Sequence, residues 1–176
     1  MVKKLLVTGG IRSGKTGLAE QRARSAGTDV VYVATATAGD DEMALRIQRH
    51  QHQRPGHWRL VEEPICLGRV LTDFGSLQGP APLLLVDCMS LWLSNLLFAD
   101  SVLFQPEREA FLYAVEAYSG PLVIVTNEVG LGTIGMDPLT RRFADELGWL
   151  NQALAQRCDE VVMAVAGLPL SLKAGG

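Results

Sequence analysis

The chain has 176 residues, a length typical of one domain with one hydrophobic core, and we expect residues 1–176 to form a single domain. With 48% hydrophobic residues, 20% charged residues and a net charge of −3, it lacks the basic surface that binds nucleic acid. The three cysteines form no C-x-x-C pair and no apolar run reaches membrane-spanning length, so we expect a cytoplasmic protein without disulfides, zinc or a membrane span.

Short apolar runs without hydrophobic–polar alternation predict buried strands, and longer amphipathic segments between them predict helices. The predicted strands are residues 3–8, 30–35, 83–87, 122–126 and 160–166, and residues 58–63 are consistent with a short additional edge strand. The predicted helices are residues 15–26, 40–53, 64–74, 89–99, 106–118 and 139–157. Alternating strands and helices predict an α/β fold, with a mostly parallel sheet and helices on both faces.

The segment VTGGIRSGKT, residues 7–16, joins the first predicted strand to the first predicted helix. Its glycine spacing and its Lys-Thr pair satisfy the phosphate-binding loop (P-loop) signature, and the flanking elements are those that the signature requires. We expect Lys15 to reach the β- and γ-phosphates and the Thr16 hydroxyl to bind Mg²⁺. A glycine-rich turn without a ligand is the alternative. The predicted nucleotide contacts in the loop are Gly9, Gly10, Ile11, Arg12, Ser13, Gly14, Lys15 and Thr16.

Polar residues end two later strands of the predicted sheet. LLLVD ends in Asp87, where a carboxylate could hold Mg²⁺ with Thr16, although an N-cap of the next helix is an alternative role. The following strand leads into TNEVGLGT, which contains Asn127 and Glu128. In open α/β sheets ligands bind along the carboxyl edge, so a site role for Glu128 and a plain strand-ending turn both remain open.

The chain's three histidines all lie in DDEMALRIQRHQHQRPGHW, residues 40–58. His50 continues a helical stripe that contains Met43 and Ile47, whereas His52 and His57 do not share that stripe. The neighbouring arginines would bind phosphate and would keep the imidazole neutral by lowering its pKa, so that it remains nucleophilic. A solvated polar helix end is the alternative interpretation.

Together these segments resemble the bifunctional adenosylcobinamide kinase / adenosylcobinamide-phosphate guanylyltransferase family of cobalamin biosynthesis. The specific part is R-I-x-x-H followed by R-P-x-x-W, and RRFADELGWLNQALA, residues 141–155, matches the family's C-terminal signature. The resemblance runs from residue 4 to about residue 168. Two departures follow the fourth core strand: Gly135 stands where the family usually has proline, and Ala144 where it has a second arginine.

The resemblance implies two reactions: ATP or GTP phosphorylates adenosylcobinamide, and GMP from GTP then passes to the new phosphate through a guanylyl-histidine. His50 matches the nucleophile of the family. Known members are oligomers, so the resemblance also implies a homo-oligomer. Positions that match the family's nucleotide contacts are the loop 9–16, Ala34, Thr35, Ala36, Gln51, His52, Gln53, Arg54, Glu62 and Asp87.

Three other functions compete with this one. A monofunctional P-loop kinase for small molecules or nucleotides would need the loop but no nucleophilic histidine. A GTPase switch should carry N-K-x-D after a late strand, and TNEVG is not that motif. A nucleic-acid-stimulated ATPase should have a basic face, which the net charge of −3 argues against.

Overall fold

Seven strands form one sheet in the computed structural model, which describes residues 4–26, 29–36, 55–133 and 135–175. In chain order they are β1 (Lys4–Gly9), β2 (Val30–Ala34), β3 (Arg59–Glu62), β4 (Leu83–Asp87), β5 (Leu122–Val125), β6 (Glu160–Val165) and β7 (Leu168–Lys173). Their spatial order is β3-β2-β4-β5-β1-β6-β7. All neighbouring pairs are parallel except β6 and β7, which are antiparallel.

Helices cover both faces of the sheet, because every central strand is apolar on both sides. In chain order they are α1 (Lys15–Ser25), α2 (Leu67–Gly75), α3 (Met89–Phe98), α4 (Ser101–Ala117) and α5 (Pro138–Arg157). One buried layer lies between the sheet and α1, and the other between the sheet and α2 to α5. The predicted α/β class is therefore confirmed, while the predicted helix 40–53 lies outside the described residues. Among the described helices, none has the length and hydropathy needed to cross a lipid bilayer.

Two elements differ most from the sequence prediction. Helix α4 begins at Ser101 rather than at residue 106, because the Asp100 side chain accepts a hydrogen bond from the Val102 N–H and caps it. Pro106 lies inside the helix, where burial of neighbouring aromatic residues outweighs one missing backbone hydrogen bond. Strand β7 was not predicted, because Pro169 lies within it and its residues are exposed; an edge strand tolerates both.

The sheet aligns the ends of five parallel strands in one row. Val7 pairs with Val125, Val125 with Asp87, Asp87 with Ala34, and Ala34 with Glu62. Because β5 lies between β1 and β4, the P-loop strand and the strand that ends in Asp87 are separated by one strand. This carboxyl edge therefore collects most of the predicted site residues.

Candidate functional site

The P-loop connects β1 to α1, and two of its glycines are required by its shape. Gly9 has φ +155°, and a Cβ there would lie 2.5 Å from Ser13 Oγ and 2.7 Å from the Ala164 carbonyl oxygen. Gly14, at the helix N-cap, has φ +90°. Residues other than glycine rarely adopt this left-handed backbone conformation. The loop backbone turns here, where the Ser13 N–H donates to the Gly10 carbonyl oxygen at 3.3 Å, and we call residues 9–16 the cradle.

The turn between β6 and β7 supports this cradle from outside. The Gly167 N–H donates to the Ser13 carbonyl oxygen at 2.8 Å. A Cβ on Gly14 would lie 3.0 Å from the Gly167 Cα, so the two segments are in close contact. The Ser13 Oγ is buried and has no hydrogen-bond partner among the described residues. That buried hydroxyl is the first of several polar groups of the loop that a bound phosphate could engage.

The second group is the Lys15 ammonium. Lys15 is the first residue of α1, and its Nζ donates to the Gly10 carbonyl oxygen at 3.0 Å, across the mouth of the loop. The first N–H groups of a helix have no partner within the helix and, with the helix dipole, favour an anion. Because the lysine charge and these N–H groups converge, the cradle suits a phosphate chain.

Thr16 and Asp87 meet beside the cradle. The Thr16 hydroxyl donates to Asp87 Oδ2 at 3.2 Å, and the Tyr32 hydroxyl donates to the same oxygen at 2.7 Å. A hydroxyl and a carboxylate are hard oxygen donors of the kind that Mg²⁺ takes, with phosphate oxygens and water completing its shell. The residues present therefore fit a magnesium ion. The sequence does not mark Tyr32 as a site residue, because a tyrosine within an apolar strand is typical of a core residue.

The segment after β2 is fixed by a buried threonine. Thr35 Oγ1 accepts from the Cys88 N–H and donates to the Cys88 carbonyl oxygen, both at 2.8 Å. Asn95 Nδ2 donates to the Thr35 carbonyl oxygen at 2.9 Å. The Thr35 side chain is thus engaged inside the protein, whereas Ala34 and Ala36 are half-buried and Glu62 is exposed at the end of β3.

The segment after β5 contacts the P-loop through its backbone. The Glu128 N–H donates to the Gly9 carbonyl oxygen at 3.0 Å, while the Glu128 carboxylate accepts from the Gly130 N–H at 2.6 Å. Asn151 on α5 holds the same segment: its Oδ1 accepts from the Thr126 hydroxyl and its Nδ2 donates to the Asn127 carbonyl oxygen. Asn151 was not identified from sequence, although an asparagine within a helix is a detectable signal.

Cys88, which directly follows Asp87, remains a protonated thiol. Burial and the neighbouring Asp87 carboxylate raise the pKa of Cys88 to about 11. A thiol with that pKa is a poor nucleophile near neutral pH. The site therefore offers no activated cysteine at this position.

The structure describes only part of the segment that contains the histidines. His50, Gln51, His52, Gln53 and Arg54 lie outside the described residues. His57 is exposed, in the turn that the Trp58 N–H closes by donating to the Pro55 carbonyl oxygen.

One departure from the family pattern has a local steric counterpart. A Cβ on Gly135 would lie 2.6 Å from Thr140 Cγ2. Thr140 is held in turn by Asp137, whose Oδ2 accepts from its N–H at 2.8 Å and caps α5. A proline at position 135 would therefore require Thr140 to move, so glycine suits this particular helix start.

Residues 5–172 match the protein family described as cobinamide kinase / cobinamide phosphate guanyltransferase. The bifunctional adenosylcobalamin biosynthesis protein CobP of Pseudomonas aeruginosa is 48% identical over 169 residues, covering 96% of each chain. The bifunctional adenosylcobalamin biosynthesis protein CobU of Salmonella typhimurium is 37% identical over 183 residues, covering 96% of this chain and 99% of that one.

Two solved structures share the fold. The RadB recombinase superposes with a TM-score of 0.51 at 19% identity, covering 92% of this chain and 74% of that one. An ATPase of the type III secretion system of pathogenic bacteria superposes with a TM-score of 0.56 at 11% identity, covering 97% of this chain and 57% of that one. The predicted P-loop NTPase-like sheet is thereby confirmed.

Proposed function

The chain belongs to the cobinamide kinase / cobinamide phosphate guanyltransferase family, and on that premise we propose how its residues divide the family's two reactions. The protein is a bifunctional enzyme of cobalamin biosynthesis, a kinase and a guanylyltransferase, and a nucleoside triphosphate and cobinamide are its substrates. In the proposal the cobinamide carries its adenosyl group, and ATP or GTP donates the phosphate.

The observation that carries the kinase assignment is the cradle formed by residues 9–16. In the first reaction the hydroxyl oxygen of adenosylcobinamide attacks the γ-phosphorus and forms a P–O bond. The bond from that phosphorus to the β–γ bridging oxygen breaks, so that the nucleoside diphosphate and the hydroxyl proton leave. Such a transfer needs positioning and charge neutralisation more than covalent participation by the protein. Lys15, released from the Gly10 carbonyl oxygen, would pair with the β- and γ-phosphates, and the loop N–H groups would hold the remaining oxygens.

Thr16 and Asp87 are the residues that would hold Mg²⁺. Their donor oxygens are 3.2 Å apart next to the cradle, which supports this part of the proposal. Bound there, the ion would neutralise charge on the β- and γ-phosphates. In the protein itself, the Asp87 carboxylate is kept in place by hydroxyl donors from two different elements.

His50 is the proposed nucleophile of the second reaction. Its nitrogen would attack the α-phosphorus of GTP, so that an N–P bond forms and pyrophosphate leaves. An oxygen of the cobinamide phosphate would then attack the same phosphorus and break the N–P bond, giving adenosylcobinamide-GDP. Splitting the transfer of GMP between two anions into two steps replaces one difficult encounter with two easier ones.

The other assignments are part of the same proposal. Further nucleotide contacts are assigned to residues 34–36, 51–54 and Glu62. We treat residues 1–176 as one domain, since the sheet draws strands from residue 4 through residue 173. A homo-oligomer and a cytoplasmic location complete the proposal; the three free cysteines are compatible with a reducing compartment.

Incubation with GTP labelled at the α-phosphate tests the proposal. The protein should retain label through denaturing electrophoresis, and the label should be lost in acid and survive alkali, as a phosphoramidate does. Label at the γ-phosphate should instead appear on adenosylcobinamide. A protein that transfers γ-label but never retains α-label would be the monofunctional kinase, and the guanylyl-histidine proposal would be wrong.

A further inference from the structure

Tyr32 lies in the core but its hydroxyl reaches the site. Its side chain is 3% exposed, within the buried layer between the sheet and α1. The hydroxyl donates to Asp87 Oδ2 at 2.7 Å, the shorter of the two hydrogen bonds that this oxygen accepts from side chains of the described residues. Hydrogen bonds to a charged carboxylate are among the stronger ones in proteins.

The strand register explains why a tyrosine serves here. Tyr32 pairs with Leu85, which lies two residues before Asp87. Asp87 itself pairs with Ala34, two residues after Tyr32. Two residues along a strand span roughly 6.6 Å, a distance that a phenol bridges and a serine or threonine side chain does not. The ring therefore anchors in the core while its hydroxyl lies at the carboxyl edge.

The two donors to Asp87 differ in what they can do. Thr16 belongs to the P-loop, and in the proposed site its own oxygen would turn toward the metal. Tyr32 belongs to the sheet, is closed in by packing, and its hydroxyl donates to the carboxylate. Tyr32 is thus the donor that can stay in place whether or not a nucleotide and a metal are bound.

From this juxtaposition we infer that Tyr32 is a positioning residue that orients the Asp87 carboxylate for the metal of the phosphate site. The inference rests on the proposed role of Thr16 and Asp87 in holding Mg²⁺. A carboxylate that is already oriented loses less conformational entropy on binding a cation than a carboxylate that rotates freely. Groups that hold a ligand in this way typically contribute about 10–100-fold in metal affinity.

The variant Tyr32→Phe removes the hydroxyl and keeps the ring in its packing. Tyr118→Phe is its matched control: that ring is also buried, and its hydroxyl donates to the Pro82 carbonyl oxygen at 2.6 Å. Pro82 precedes β4, so this hydrogen bond lies at the opposite edge of the sheet from Asp87. Each variant loses one buried hydroxyl, and only one of them loses it at the site.

The readout is Mn²⁺ binding in the presence of a non-hydrolysable GTP analogue. The electron paramagnetic resonance signal of free Mn²⁺ measures how much of the ion remains unbound. Tyr32→Phe should bind Mn²⁺ about tenfold or more weakly than the wild type. Tyr118→Phe should bind it as the wild type does, and the affinity of Tyr32→Phe for the analogue without metal should be unchanged. The Mg²⁺ concentration for half-maximal kinase activity should rise in Tyr32→Phe alone.

Wild-type Mn²⁺ affinity in Tyr32→Phe would overturn the inference. So would equal weakening in both tyrosine variants, which would indicate a general loss of rigidity. Asp87→Asn separates this from failure of the proposed function. If Asp87→Asn binds Mn²⁺ as the wild type does, the metal role of Asp87 is itself wrong.

Discussion

The Thr16 hydroxyl lies 3.2 Å from Asp87 Oδ2, although 71 positions separate the two residues in the chain. The contact joins the first turn of α1 to the end of β4, two elements that the sheet order brings together across β5. Because of this contact, we expect metal-dependent chemistry to depend on the Thr16 hydroxyl and not on its methyl group.

Thr16→Ala should therefore lose most of its Mg²⁺-dependent kinase activity, whereas Thr16→Ser, which keeps the hydroxyl, should retain it. Losing one preorganised group at a phosphoryl-transfer site costs about 100-fold or more in rate. The measurement is kcat/KM for ATP across a Mg²⁺ titration. Equal activity in the two variants would remove Thr16 from the metal site.

Lys15→Ala should abolish most phosphorylation of cobinamide while leaving the fold intact. Among the described residues its Nζ hydrogen-bonds to one backbone carbonyl, so its removal costs little stability, but a charged donor to the transition state is worth about 3–4 kcal/mol. Lys173→Ala is the control, because that Nζ also donates to backbone carbonyls, far from the loop. Kinase rates near wild type in folded Lys15→Ala would mean that the loop is only a turn.

His50→Asn should retain no α-label from GTP, whereas His52→Asn and His57→Asn should label almost as the wild type does. The three histidines are close in sequence, but only His50 continues the stripe that the sequence predicts for a helix with Met43 and Ile47. Kinase activity should persist at least in part in His50→Asn, since γ-transfer does not use the imidazole as nucleophile. Acid-labile label on His50→Asn would contradict the assignment.

Gly9→Ala should weaken nucleotide binding and lower stability, by on the order of 1–3 kcal/mol. The added methyl group would meet Ser13 Oγ and the Ala164 carbonyl oxygen well inside contact distance, at a φ of +155°. Gly10→Ala is the matched control for stability, because a Cβ at Gly10 would have no atom of the described residues within 4 Å. Thermal unfolding should separate the two variants, and equal unfolding temperatures would contradict the steric explanation.

Stability should fall at alkaline pH because of Cys158. Burial and the adjacent Asp159 carboxylate raise its pKa to about 12, although Lys173 and Lys4 act in the opposite direction. The thiol of the unfolded chain ionises near its ordinary value of 9.0, so stability is fully present below that pH and is lost as pH rises toward 12. The loss is at most about 1.4 kcal/mol per pH unit.

Urea unfolding of wild type and Cys158→Ala at several values between pH 8 and pH 10.5 measures this effect. The variant starts less stable because it has a cavity, but its free energy of unfolding should fall less steeply with pH. Parallel slopes for the two proteins would mean that other groups cause the alkaline loss.

Most of the fold follows from local patterns in the chain. The run LLLVD predicts β4 with its observed bounds, because a continuous apolar run closed by a charged residue has few other interpretations. The signature around Gly14 likewise predicts the loop and the start of α1. Strand β7 escapes prediction because an exposed edge strand buries too little to leave a hydrophobic pattern, and it contains a proline.

The predicted site residues are those that a motif marks, and the ones missed act through long-range contacts. Tyr32 contacts Asp87 from 55 residues away in sequence, and Asn151 contacts the segment after β5 from about 25 residues away. Their roles depend on strand register and helix docking, which a single sequence does not specify. A carboxylate at a strand end is visible in the sequence, whereas the hydroxyl that orients it becomes visible only in three dimensions.

The contact between Gly167 and Ser13 also has a consequence for how the protein is made. The P-loop is synthesised well before the N–H that closes it from outside, which is contributed more than 150 residues later. A nascent chain therefore carries this loop without its outer support until the turn between β6 and β7 has been made. We expect the loop to reach its final shape only after that turn has formed.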